Sequence, residues 1–119
     1  MLRMKRAYEE PAKEDGVRVL VERLWPRGLT KEKAGIDIWC REVAPSAGLR
    51  KWYAHDPEKW EEFRQRYLEE LKGSPHLDAL RRLSAGKDVT LIFSTHDAEH
   101  SGAAVLMDLL TARPELFST

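Results

Sequence analysis

Val89-Thr90-Leu91-Ile92-Phe93 is a short, nearly continuous apolar run, and it is the stretch that most directly indicates the fold class of this chain. Lys87-Asp88 precede it and Ser94-Thr95 follow it, so polar residues bound the run on both sides. A run of this length and composition is typical of a strand covered on both faces, as in a parallel sheet with helices on each side. We therefore expect Val89–Phe93 to be a buried strand of such a sheet.

Three earlier segments predict the other strands of this sheet. Arg3–Tyr8 is a plausible short first strand, Val17–Leu24 is rich in β-branched residues, and Ile36–Val43 alternates apolar residues at Ile36, Ile38 and Cys40. Segments with helical signals lie between these strands. The sequence therefore predicts an α/β fold: a single three-layer domain over residues 1–119, with a small, mostly parallel sheet of about four strands flanked by helices.

Four helix-start signals occur along the chain. Side chains that can cap a helix precede the predicted helices at Thr30, Ser46, Asp56-Pro57 and Ser74-Pro75. After Asp56-Pro57, the large apolar residues recur at spacings of three and four, which predicts a core-facing stripe; these residues are Trp60, Phe63, Tyr67 and Leu71. Ala98–Leu110 predicts a well-packed last helix, and Arg113–Phe117 an irregular tail.

Composition limits the classes of function. Twenty basic residues balance twenty acidic ones, so net charge gives no reason to expect binding to nucleic acid or to an anionic membrane. The single cysteine, Cys40, rules out an internal disulfide framework, and we expect it to be a buried, inert thiol. No apolar run approaches the ~20 residues that span a bilayer, and the N-terminus does not have the pattern of a signal peptide. We expect an intracellular, soluble protein; the sequence leaves the cofactor and the oligomeric state unknown.

The turn after the second predicted strand, Arg23–Gly28, is the first candidate site. Arg23 and Trp25 are two residues apart and would project to the same side for as long as the strand persists. Two guanidinium groups, those of Arg23 and Arg27, beside an indole predict a site for an anion, because arginine offers a planar fork of donors and can stack. The alternative is that Trp25 belongs to the core and that both arginines are solvated or ion-paired.

The segment Ser94–His100 leads from the fourth strand into the last helix and is the second candidate. Thr95 or Asp97 could cap that helix, and His96 and His100 are four apart, so both could lie on one helical face. Histidine there could act as general acid or base, or, with Asp97, could help to bind a metal. The alternative is that these polar residues only cap the helix and pack.

The third candidate is Arg50–Pro57, which interleaves basic and aromatic residues. Trp52 could flank a ligand and His55 could point into a cleft, whereas Asp56 is explained by capping. A basic helical turn whose aromatic residues face the core would have the same pattern.

These motifs together resemble the YeaO-like proteins of the superfamily called domain of unknown function 488. The resemblance covers nearly the whole chain in order; it is carried by the segments Arg18–Gly28, Ile38-Trp39, Ala44–Ser46, Leu49–Tyr53, His55–Phe63, Val89–Phe93 and His96–His100. It implies a small α/β domain with a parallel sheet. It does not assign a substrate or a catalytic role to any residue. Longer relatives often carry a cysteine near Ser94-Thr95 and an arginine where this chain has Ser101-Gly102, so the resemblance argues against cysteine-based phosphatase or sulfurtransferase chemistry here.

The leading hypothesis is a pocket for a small anionic ligand of phosphate or nucleotide type. Its ligand-binding residues would be Arg23, Trp25, Arg27 and Trp52, and possible acid–base residues would be His55, His96 and His100. One alternative is a non-enzymatic module that binds nucleic acid or protein, although the neutral charge disfavours nucleic acid. A second alternative is a metal-assisted hydrolase that uses His96, Asp97 and His100.

Overall fold

A parallel sheet organises the chain in its computed structural model, which describes residues 1–111. The sheet has four strands in the order β1-β4-β2-β3, all of them parallel. In chain order, these strands are β1 (Leu2–Arg6), β2 (Val17–Leu20), β3 (Ile38–Trp39) and β4 (Val89–Phe93). The predicted bounds of β4 are confirmed, and the tail predicted for Arg113–Phe117 lies outside the described residues.

β4 is buried along its whole length because both faces of the sheet are covered. Val89, Leu91 and Phe93 face the larger apolar core, whereas Ile92 faces a smaller one. Thr90, which is also buried, donates a hydrogen bond to the Asp15 carbonyl at 2.7 Å. Burial on both faces explains why this strand lacks the polar alternation of a half-exposed strand.

Three of the five described helices begin directly at the predicted caps. The five are α1 (Lys31–Ala34), α2 (Ala47–Tyr53), α3 (Trp60–Leu71), α4 (Pro75–Gly86) and α5 (Gly102–Thr111). The hydroxyls of Thr30, Ser46 and Ser74 accept backbone N–H bonds at the starts of α1, α2 and α4. Asp56 caps a single 3-10 turn, Pro57–Lys59, that runs directly into α3. None of the helices within residues 1–111 is long and apolar enough to cross a membrane.

Helices α2 to α5 cover one face of the sheet, and α1 with its flanking loops covers the other. The larger core joins β2 and β4 to side chains such as Phe63, Tyr67 and Leu106. The smaller core contains Ala7, Leu20 and Ile92, against which Trp25 and Trp39 pack; these indoles meet edge to face at 5.5 Å. The predicted three-layer α/β fold is confirmed, with one thick helical layer and one thin layer.

The second and third strands are shorter than predicted, and the first is shifted towards the N-terminus. The Val21 N–H still donates to the Ile92 carbonyl at 3.1 Å, but the Glu22 carbonyl accepts from the Trp39 indole N–H, so the ladder ends after Leu20. The third strand contains Ile38 and Trp39 alone, because Arg41–Val43 turn into a 3-10 helix. Arg23 and Trp25 therefore lie beyond the strand, and strand alternation does not set the direction of their side chains.

The last helix begins later than predicted. Ala98–His100 form one 3-10 turn, and the extended backbone of Ser101 separates this turn from α5. The Ser101 hydroxyl accepts from the Ala104 N–H at 3.2 Å, which is the capping role expected of Thr95 or Asp97. His96 precedes the 3-10 turn, so His96 and His100 do not share a helical face.

A charged network closes the amino edge of the sheet. The Arg18 guanidinium donates to the Asp15 carboxylate at 2.6 Å and to the carbonyls of Gly35 and Ala34 at 3.1 and 2.8 Å. The Asp15 carboxylate also accepts from the Ala12 N–H at 2.9 Å and from Lys5 Nζ at 3.3 Å. These bonds hold the loop before β2 and helix α1 against the sheet.

Candidate functional site

Two adjoining cavities open at the carboxyl ends of β2 and β4, the edge where parallel α/β sheets bind ligands. We call them the inner cavity, of about 90 Å³, and the outer cleft, of about 470 Å³. The following residues line both: Glu22, Arg23, Arg50, His55 and Thr95. Because these residues border both spaces, the ends of β2 and β4 and the C-terminus of α2 form one continuous site.

The inner cavity lies between the sheet and the helical layer. The remaining residues of its wall are mostly apolar. They come from the ends of β2 and β4, the loop before α2, helices α2 and α3, and the segment that leads into α5: Val21, Ala44, Pro45, Tyr53, Phe63, Phe93, His100, Ser101, Gly102 and Ala103. Tyr53 stacks on Phe63 with ring centroids 4.1 Å apart, which gives one side of the cavity a rigid aromatic wall.

The outer cleft has more charged residues in its wall than the inner cavity and lies above the edge of the sheet. Besides the shared residues, its wall contains the turn predicted from the sequence and two residues from other loops: Tyr8, Leu24, Trp25, Pro26, Arg27 and Ser94. Three arginines, Arg23, Arg27 and Arg50, therefore face one glutamate, Glu22, around this cleft.

Arg23 is held in place by the loop after β3. Its Nε donates to the Pro45 carbonyl at 3.1 Å and its Nη2 to the Ala44 carbonyl at 3.3 Å. Its Nη1 has no hydrogen-bond partner within residues 1–111. The side chain is thus positioned by two bonds and keeps part of its donor fork for a ligand.

Arg50 and Arg27 are the exposed cations of the site. Within residues 1–111, neither guanidinium makes an ion pair or a side-chain hydrogen bond, although the Arg27 carbonyl accepts from the Tyr8 hydroxyl at 3.1 Å. Arg50 lies in the last turn of α2, and Arg27 lies in the turn 26–29. Their free donors are available to an anion that enters from solvent.

His55 reaches the site through an unusual backbone conformation. Ala54 and His55 have φ angles of 46° and 57°, in the left-handed backbone region that residues other than glycine rarely adopt. The Ala54 N–H donates to the Arg50 carbonyl at 3.0 Å and the Asp56 N–H to the Tyr53 carbonyl at 2.9 Å, so the chain reverses sharply at the end of α2. This reversal leaves the exposed His55 at the junction of the inner cavity and the outer cleft.

His100 is paired with Asp97 at the wall of the inner cavity. His100 Nδ1 lies 2.8 Å from Asp97 Oδ2, and the His100 ring meets Trp60 edge to face at 5.2 Å. A carboxylate on Nδ1 fixes the ring and leaves Nε2 free to exchange a proton. The structure therefore brings His55 and His100 to one cavity, as the sequence suggested.

Trp52 and His96 are not brought to this site. The Trp52 ring lies under the Arg66 guanidinium at 4.4 Å and near Lys59 Nζ at 5.2 Å, and it packs against the larger core. His96 is exposed and lines neither the inner cavity nor the outer cleft. Trp25 does line the cleft, but it also packs against the smaller core and donates its indole N–H to the Leu29 carbonyl at 2.7 Å.

Glu22, Arg50 and Thr95 are cleft residues that the sequence reasoning did not select. Glu22 accepts a hydrogen bond from the Ser94 hydroxyl, which joins the ends of β2 and β4. Glu22 and Thr95 each stand two residues past the end of a strand, at the edge where ligands bind. The strand predicted for Val17–Leu24 contains Glu22, so the sequence offered this positional signal for Thr95 alone. Arg50 carried a weaker signal, because it lies on the same short helix that leads to His55.

Within residues 1–111, no group of three or more His, Cys, Asp or Glu side chains is placed to hold a metal ion. Cys40 lines neither cavity, and burial raises the pKa of its thiol. It stands just after β3, not within it as predicted. Burial likewise raises the pKa of the Tyr53 phenol, whose hydroxyl donates to the His100 carbonyl at 2.8 Å.

Comparisons with known proteins give relatives without an assigned activity. A family model described as the inactive DUF488-N3 subclade matches residues 1–116. An uncharacterised protein of Mycobacterium tuberculosis and one of Mycobacterium bovis are each 46% identical over 112 residues, which cover 94% of this chain and 95% of the relative. The uncharacterised protein YeaO of Escherichia coli is 36% identical over 112 residues, 92% of this chain and 96% of the relative. No solved structure gives a significant match.

Proposed function

Because the chain belongs to the YeaO-like DUF488 family, in the subclade described as inactive, we propose that it binds a small anionic ligand without transforming it. The ligand would be of phosphate or nucleotide type and would lie in the outer cleft. Arg23, Arg27 and Arg50 would hold its charge, with His55 at the boundary of the inner cavity and Trp25 on the wall.

The charge of the outer cleft is the observation that carries this proposal. Three arginines against one glutamate make the cleft positive, although the whole chain has a formal net charge of zero. Charge of one sign gathered in a concave, partly low-dielectric site attracts an oppositely charged ligand. The donors of Arg50, Arg27 and the Nη1 of Arg23 are also free of partners within residues 1–111. A phosphate or carboxylate would supply the acceptors that these donors lack.

We favour binding over catalysis because the family model that matches this chain is described as an inactive subclade. The Ser101 hydroxyl donates to the Ala98 carbonyl at 2.7 Å. The only cysteine, Cys40, lies outside the site. In this proposal His55 and His100 act as hydrogen-bond partners of the ligand.

Thermal unfolding with inorganic phosphate and with a nucleoside monophosphate tests the proposal. A ligand at ten times its Kd stabilises the native state by about 1.4 kcal/mol, which raises the Tm of a domain of this size by roughly 4–8 °C. We expect such a rise for the native chain and a much smaller one for Arg50→Gln, since that change removes a free cation of the site.

Arg82→Gln is the matched control for that substitution. Arg82 is exposed on α4, lines neither cavity and makes no ion pair within residues 1–111. This control should bind like the native chain. If both anions leave the Tm unchanged, or if Arg50→Gln binds as well as Arg82→Gln does, the anion site is not where we place it.

A further inference from the structure

The wall of the inner cavity is more apolar than that of the outer cleft, although the two walls share five residues. Apolar side chains such as Val21, Phe63 and Phe93 line its deep part. A ligand whose anionic group sits among the arginines could extend into this cavity, because Arg23, Arg50 and His55 border both spaces.

The hydroxyls of Tyr53 and Ser101 in the wall of the inner cavity are already used by the protein, whereas the Thr95 hydroxyl lies where this cavity meets the outer cleft. The Tyr53 hydroxyl donates to the His100 carbonyl at 2.8 Å, and the Ser101 hydroxyl donates to the Ala98 carbonyl and accepts from the Ala104 N–H. Among the described residues, no buried side-chain polar atom lacks a hydrogen-bond partner. A polar group placed deep in this cavity would therefore lose its water without gaining a partner, which is costly, whereas an apolar group would gain.

The size of the inner cavity restricts the group further. At about 90 Å³ it is smaller than the ~150 Å³ apolar cavity that accommodates benzene in another protein, and it has room for about three or four carbon atoms. A nucleobase is larger than benzene, so a nucleotide could use only the outer cleft. The inner cavity thus fits a short or branched alkyl group.

We propose that the ligand is a small amphipathic anion: a phosphate or carboxylate head held by Arg23 and Arg50, joined to an alkyl group of about three or four carbons in the inner cavity. This inference rests on the proposed function, because it takes the arginines as the site of the head. It narrows the ligand class from any phosphate- or nucleotide-type anion to one with a short apolar arm.

Calorimetric titration with two homologous series of probes tests the inference. One series is methyl, propyl, butyl and hexyl phosphate, and the other is acetate, butyrate and hexanoate. Comparison of the two series shows whether the site prefers a phosphate or a carboxylate head. Each methylene that enters the inner cavity should raise the affinity about fourfold, up to about four carbons, and the gain should then stop.

Ala103→Val tests whether the chain dependence comes from the inner cavity. Ala103 is buried at its wall, so two added methyl groups would occupy the space of the ligand's alkyl group. We expect the ratio of butyl to methyl phosphate affinity to fall towards one. Ala79→Val is the control, because Ala79 is an exposed residue of helix α4, outside the site, and it should keep the native ratio.

Val21→Ala supplies a second variant if Ala103→Val does not fold. It enlarges the inner cavity, so the optimum should move from butyl to hexyl phosphate. A flat affinity from methyl to hexyl in both series, with binding still dependent on Arg50, would overturn the apolar arm and leave the anion site standing. Absence of binding for every probe, inorganic phosphate included, would overturn the anion site and the apolar arm together.

Discussion

Arg18 at the amino edge of the sheet and Arg50 at the carboxyl edge are the same residue type in opposite situations. The Arg18 guanidinium is buried and donates to Asp15, Gly35 and Ala34, whereas Arg50 is exposed and makes no side-chain hydrogen bond within residues 1–111. Arg23 is intermediate, with two bonds to backbone carbonyls and one nitrogen free.

This difference separates charges that hold the fold from charges that are available to a ligand. A buried ion is tolerated only when its hydrogen bonds are satisfied, so the amino edge has no capacity left for a ligand. At the carboxyl edge, Arg27 and Arg50 line a cleft, and neither guanidinium has a partner within residues 1–111.

Asp15→Ala should cause the largest loss of stability, because it leaves the buried Arg18 guanidinium without its ionic partner. Breaking a buried pair in this way typically costs about 3–5 kcal/mol. Urea unfolding would measure the loss. The control is Asp78→Ala, which removes an exposed pair with Arg81 at 3.2 Å on α4 and should cost at most about 1 kcal/mol. Equal effects of the two substitutions would contradict a structural role for the amino edge.

The same network predicts a specific response to acid. Burial alone would raise the pKa of Asp15, but hydrogen bonds from the Ala12 N–H, Arg18 and Lys5 outweigh it and hold the pKa below its ordinary value of 3.8. A carboxylate with a lowered pKa in the folded state stabilises the protein above the unfolded pKa, and this contribution is lost as the pH falls through the folded pKa. The stability of the native chain should therefore fall as the pH drops below about 4. Asp15→Asn should lack this component when its unfolding free energy is measured across the same range.

Much of this fold follows from local patterns in the sequence. The apolar run Val89–Phe93 and the caps at Thr30, Ser46 and Ser74 depend on neighbouring residues, and the structure confirms them. The end of β2 depends on a distant residue, since the Trp39 indole N–H donates a hydrogen bond to the Glu22 carbonyl. A period-2 pattern carries no information about such a contact, so the predicted strand was too long.

The candidate site was predictable in part for the same reason. The turn 23–28 and His55 follow recognisable element ends, and they do line the cleft. Trp52 was expected to flank a ligand, but it packs with Lys59 and Arg66, which only the three-dimensional position of α3 reveals. The pairing of Asp15 with Arg18 links residues that the sequence alone presents as ordinary surface charges.

Within the carboxyl edge, Arg23 should contribute to stability and Arg50 should not. Arg23→Ala removes charged donors from two backbone carbonyls in a partly exposed position, which should cost about 1–2 kcal/mol. Arg50→Ala should change the unfolding free energy by no more than about 0.5 kcal/mol, as is usual for an exposed residue without partners. Denaturant unfolding of both variants measures the contrast, and a large loss for Arg50→Ala would show that this side chain holds the fold.

Ala54→Gly should give the smallest effect, and in the opposite direction. Ala54 ends α2 with a φ of 46°, a conformation that is less costly for glycine than for alanine. Part of the gain is offset by the greater freedom of glycine in the unfolded chain, so we expect a stabilisation of about 0.5 kcal/mol. A lower Tm for this variant would mean that the Ala54 methyl group makes a contact that outweighs the strain.

Titration of the ¹⁵N-labelled chain with inorganic phosphate, followed by amide chemical shifts, tests the central contrast most directly. The amides of Glu22, His55 and Thr95, at the carboxyl edge, should shift progressively and saturate, whereas those of Asp15 and Arg18, at the amino edge, should not move. Shifts centred on the amino edge, or no saturable shifts at all, would contradict the assignment of the ligand site to the carboxyl edge.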